Sequence, residues 1–184
     1  MTMSSRAVGI RAAAGVLVAA LALVAAGVGA QEPGAAKPAA GNAAGGPAAR
    51  FQEAAPRALE AMLTEARARG MKGVAVVAFV PGDTTLAWVS QMKAVDAIVL
   101  GNANVLAIAY CKLSEMADTL QDSGSQVRPP LHGELGYRGG AFRRTDGGFF
   151  LAAFSGGKDT DDLDVSRKGL DVLEASPAGI VPAK

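Results

Sequence analysis

Six consecutive apolar residues, Phe149-Phe150-Leu151-Ala152-Ala153-Phe154, stop abruptly at Ser155-Gly156-Gly157. A run without polar alternation suits a strand buried on both faces, so the chain needs a sheet covered from two sides. The glycine pair lets the backbone reverse without a Cβ penalty. Asp159 or Thr160 then caps a helix, with Asp161, Asp162 and Asp164 favourably near its positive end. Leu163, Leu170 and Leu173 of that helix face the sheet. Val165 and Val172 fall on its far side, which implies a second buried contact.

The rest of the chain supplies the matching parts. Residues 52–69 place Ala55, Leu59, Met62, Leu63 and Ala66 on one helical face, and Gly70 is a natural stop. The β-branched run at 73–80 and the segment 85–92 form a hairpin around Pro81-Gly82-Asp83-Thr84-Thr85. Residues 93–104 read either as a short strand or as the start of a helix. From Val105 onward Leu106, Ala109, Leu113, Met116 and Leu120 draw one helical stripe. Residues 122–136 are loop. A second hairpin pairs a strand near 139–144 with one at 149–155 across Thr-Asp-Gly-Gly. Helix, hairpin, helix, hairpin, helix predicts an α+β domain with an antiparallel sheet and helices on its faces.

The amino end carries different information. Arg6 and Arg11 precede an apolar core over Ala12–Val24, and Val28-Gly29-Ala30 reads as a cleavage site. This is the pattern of a secretory signal peptide over 1–30, with a retained membrane anchor as the alternative. It predicts an exported protein, periplasmic or extracellular, with no membrane contact once the signal is cleaved. Residues 31–50, rich in Ala, Gly and Pro, read as a flexible linker. The domain is then 51–175, followed by a loose tail over 176–184. The formal charge of +1 becomes −1 when Arg6 and Arg11 leave with the signal, so no electrostatic footprint for nucleic acid exists. One cysteine, Cys111, allows no internal disulfide. It falls opposite the helical stripe, where it pairs between subunits, stays free, or sits at a helix contact.

The stretch Ala152–Leu173, with Ser155-Gly156-Gly157, Asp161-Asp162 and Gly169-Leu170, resembles the carboxyl-terminal signature of the GlcG/HbpS family. These are haem-binding or haem-degrading proteins, also found beside corrinoid adenosyltransferase domains. Residues 107–117 resemble the family's central helix, with Lys112 at its characteristic lysine, and 131–142 resemble its loop leading into a Gly-Gly strand. The likeness extends over about 55–175. Tyr137-Arg138-Gly139-Gly140 replaces the usual Phe-Gly-Gly-Gly, and 95–104 differs from the usual join before the central helix. The resemblance implies a profilin-like fold, a five-stranded antiparallel sheet between helical layers, and a homo-oligomer.

It also implies haem or a related small molecule as ligand. Haem takes axial ligands from His, Cys, Met or Tyr and needs cations for its propionates. His132, the only histidine, is then the candidate metal ligand, beside Tyr137 and Arg138, with Arg128, Arg143 and Arg144 as further cations. Against this stands a solvated basic loop with an incidental histidine. Tyr110 and Lys112 flank the helical stripe and belong at the rim of whatever it covers. The plainer reading of Lys112 lays its stem on the core and its ammonium in water. Met92 and Met116 are thioether candidates, though Met116, in the stripe, reads rather as core. A zinc site, a hydrolase elbow, a Walker loop and a dinucleotide fingerprint are all missing. Three functions remain: an exported haem or small-molecule binder, a cofactor-free oligomerising accessory domain, and a haem-degrading enzyme for which no acid–base pair is visible.

Overall fold

The computed structural model describes residues 46–145 and 147–176, all within the unit Ala40–Lys184. The signal peptide, most of the linker and all of the tail after Ser176 lie outside the described residues. Among the described residues no helix is long and apolar enough to cross a membrane.

Helix α1 runs over Pro47–Ala68, earlier than the sequence suggests. The expected linker therefore gives way to helix at Pro47, where a fixed φ and a missing N–H suit the first helical turn. Pro56 inside α1 leaves the Gln52 carbonyl without its usual donor, and the Gln91 side-chain amide takes that place at 3.4 Å. The helix closes at Gly70, whose φ of 65° allows Gly70 N–H to reach Arg67 O and Met71 N–H to reach Ala66 O.

Strand β1 (Gly73–Pro81) leads to β2 (Val89–Val95), so the returning strand starts later than its β-propensity indicates. The ambiguous 93–104 segment completes β2 and then forms a small separate hairpin, β3 (Val99–Leu100) and β4 (Ala103–Asn104). Asn104 caps α2 (Val105–Thr119) by accepting from Ala107 N–H at 3.0 Å. After a long loop come β5 (Gly140–Thr145), β6 (Gly148–Ser155) and α3 (Asp159–Ala175).

The main sheet has four antiparallel strands in the order β2-β1-β6-β5, where the resemblance implies five. The two apolar runs are its centre. Ala75, Val77 and Phe79 share one face with Phe150, Ala152 and Phe154, packed against α1 and α3. Val74, Val76, Ala78 and Val80 share the other with Phe149, Leu151 and Ala153, packed against α2. The α+β architecture with helical layers on both faces is thus as expected.

Two expectations about α3 change. Its N-cap is Lys158, not Asp159 or Thr160, and no side chain caps it there. Asp162 instead reaches back to Gly157 N–H at 2.9 Å. The second apolar face, at Val165 and Val172, is covered by α1 of the same chain. Gly169 permits that approach, since a Cβ there would sit 2.5 Å from Met62 Sδ. This face therefore gives no argument for a second subunit.

Candidate functional site

The polar end of the domain forms where β6 runs out and α2 passes over it. Lys112 is 3% exposed, not at a solvated rim. Its ammonium donates to Phe154 O at 2.7 Å and to Asp162 Oδ2 at 2.8 Å. Burial pushes the Asp162 carboxyl above its ordinary value, opposed by the Lys112 charge and hydrogen bond and by Gly157 N–H. Gly139, at φ 112°, lies against this pair, and a Cβ there would meet Asp162 Cβ at 2.6 Å and Lys112 Nζ at 2.9 Å. Ser166 Oγ accepts from Phe154 N–H at 2.8 Å and lies 2.7 Å from Gly139 O, tying loop, strand and helix together.

A cleft of about 310 Å³ opens beside the pair. Leu100, Ala103, Val105 and Ile108, from the small hairpin and the start of α2, give it an aliphatic wall. Lys112, Asp162 and the Ser155-Gly156-Gly157 turn make its polar side, with Tyr137 and Asp159 also lining it. Ser155 alternates in register with Leu151 and Ala153, so its side chain is on the α2 face. As a residue it is 3% exposed, and its hydroxyl, with no hydrogen-bond partner among the described residues, keeps contact with solvent. A second recess of about 470 Å³ lies beside Trp88, between Asp83 and Asp118. Both carboxylates there are exposed, and Asp118 is already held by Arg128 at 2.6 Å.

Of the residues expected to form a site, the structure brings Lys112 and Tyr137 to one cleft. His132 is exposed and does not line it. Tyr110 turns toward β2, its hydroxyl 3.3 Å from Ser90 Oγ. Arg138 is exposed and packs beside Gly124. The further cations are dispersed on partners within the chain: Arg128 on Glu134 and Asp118, Arg143 on Glu174, Arg144 near Asp83. Met116 is core, as expected, and Met92 packs partly buried on the same cluster. Cys111 is half-buried and donates to Gly133 O at 3.2 Å, so the 121–139 loop covers what the stripe leaves outside. Among the described residues no group of three or more His, Cys, Asp or Glu stands ready to hold a metal ion. Asp162 and Ser155 are the site residues that helical periodicity does not find. The signal that points to both is their place in the strand, glycine and acidic-helix junction.

Glu134 fastens the loop that carries His132 and Tyr137. It accepts from Arg128 twice, at 2.6 and 2.8 Å, and from Leu131 N–H at 2.8 Å. Those donors hold its carboxyl down at about 2, against 4.5 ordinarily, Arg128 contributing most. A depressed carboxyl contributes stability that is present above its unfolded value and lost as pH falls through the folded one. Between about pH 5 and about pH 2.5 the parent should therefore lose more urea stability than Glu134→Gln. Equal losses in the two proteins would show that this carboxylate does not fasten the loop.

No family model matches the chain, and no curated protein matches it either.

Proposed function

We propose that this chain is an exported small-molecule-binding domain of the GlcG/HbpS type, and that its ligand occupies the cleft beside Lys112 and Asp162. The observation that carries this reading is Ser155: a residue 3% exposed whose hydroxyl has no partner among the described residues and stays open to solvent, on the wall of an aliphatic cleft. A hydroxyl at a cleft wall that no protein group uses is free to exchange water for a ligand's hydrogen bond, and the hydrogen bond it then makes orients the ligand. The cleft volume is at the lower end of the range for small-molecule sites.

Haem fits this cleft poorly. Among the described residues Tyr137 is the only one of an axial type on its walls, and it is 49% exposed. Lys112, the one cation among the described lining residues, already serves Asp162 and Phe154 O, while Asp159 and Asp162 would face the propionates. Binding is favoured over turnover by the same contacts. Lys112 Nζ is occupied by two acceptors, Phe154 O and Asp162 Oδ2, which leaves it badly placed to act as a nucleophile or a base.

The test is a fragment screen by saturation-transfer NMR on the parent and on Ala103→Phe, whose ring fills the cleft. Fragments that give signal with the parent and lose it with the variant are the expected result. An absence of fragments, or fragments retained equally by both proteins, would remove the cleft as the binding site. Haemin should give no saturable Soret shift in the same pair. A stoichiometric shift abolished by Tyr137→Phe would return haem to this cleft.

A further inference from the structure

Resting on that reading of the cleft, we propose that its ligand is an uncharged molecule with a compact apolar body and one hydroxyl or carbonyl head, seated on Ser155 Oγ. Two observations set the charge. Lys112 and Asp162 neutralise each other at 2.8 Å, so neither is free to meet a charged head. Among the described lining residues Asp159 is then the one charge without an ion-pair partner, which disfavours an anion. Asp159 is also solvent-exposed, where pairing with an ammonium gains little. That gain does not offset the cost of drying an ammonium against Leu100, Val105 and Ile108.

The head chemistry follows from the hydroxyl itself. Ser155 Oγ has one proton to give and lone pairs to accept with, and no described residue takes either. An alcohol satisfies both roles and a ketone satisfies the first. The body is bounded by a wall of four aliphatic residues, and among the described lining residues Tyr137 is the only aromatic, which suits a saturated ring or branched chain. Because the Ser155 hydroxyl has no described partner to lose, removing it should cost the fold little.

Four probes share one body and differ in head: cyclohexanol, cyclohexanone, cyclohexanecarboxylate and cyclohexylamine. Each is titrated into the ¹⁵N-labelled chain while the amide shifts of Ser155, Gly156 and Gly157 are followed. Cyclohexanol and cyclohexanone should bind, and the two charged probes should bind at least 10-fold more weakly. Ser155→Ala should keep the parent's urea midpoint and weaken cyclohexanol about 3- to 10-fold, the value of one hydrogen bond. Tighter binding of the carboxylate or the amine at these amides overturns the ligand class but leaves the cleft as a site. Cyclohexanol affinity unchanged in Ser155→Ala overturns the seat on Oγ. No perturbation by any probe, while other fragments remain sensitive to Ala103→Phe, overturns the compact saturated body. Failure of those fragments as well removes the binding reading on which the inference rests.

Discussion

Replacing Lys112 by methionine is expected to lower the stability of the domain by about 3–5 kcal/mol near neutral pH, the usual cost of stranding one member of a buried ion pair. The methionine keeps the stem on the α2 face but leaves Asp162 with Gly157 N–H as its remaining described donor. The loss should also depend on pH in a definite direction. Burial already holds the Asp162 carboxyl above 3.8, and Lys112 is the strongest influence pulling it back down. Without Lys112 the folded carboxyl keeps its proton to higher pH than the unfolded one. The folded state then binds more protons through that window, so its stability falls as pH rises. Urea midpoints of parent and variant should consequently lie closer together at about pH 4 than at about pH 8. The double variant Lys112→Met with Asp162→Leu should recover a large part of the loss, because it removes the stranded charge as well. A single variant as stable as the parent at the higher pH would mean that the pair is not buried.

The second large effect belongs to the opposite face of the sheet. Phe79 lies 5.7 Å from Phe150 and 6.2 Å from Phe51 between ring centroids, joining β1, β6 and α1 in one cluster. Phe79→Ala is expected to cost about 3–5 kcal/mol, the range for emptying an aromatic site in a packed core. Unfolding should remain a single transition, reported alike by Trp88 fluorescence and far-ultraviolet dichroism. Two separated transitions would show that α1 does not belong to the same cooperative unit as the sheet.

The elements that sequence reading finds are those written in a period. The two apolar runs and the α2 stripe are repeated patterns, and each falls where the pattern puts it. The start of α1 escapes because Pro47-Ala48-Ala49-Arg50 has the composition of the linker before it, and only the burial of Phe51 distinguishes it. Lys112 escapes for another reason. A periodic pattern treats a lysine beside an apolar stripe as solvated, whereas its burial depends on Asp162 in a different helix and on Gly139 in a loop. Ser155 is legible in part: alternation places it on the same face as Ala153, but what stands opposite requires the position of α2. The His132 expectation rests on family likeness in a loop, where no period constrains where a side chain points.

The order β2-β1-β6-β5 has a consequence for how the domain folds. Each central strand has one partner that is near in sequence and one that is far. The β1–β2 and β5–β6 hairpins can close locally, but Val74 meets Ser155, and Pro81 meets Gly148, only after the whole intervening chain has been gathered. Loop closure of that length places the slow step at the joining of the two hairpins. Until then each hairpin carries a bare edge on its most apolar strand, the kind of edge that recruits another chain. The same seam that unites the sheet is thus where the unfinished molecule is most prone to aggregate.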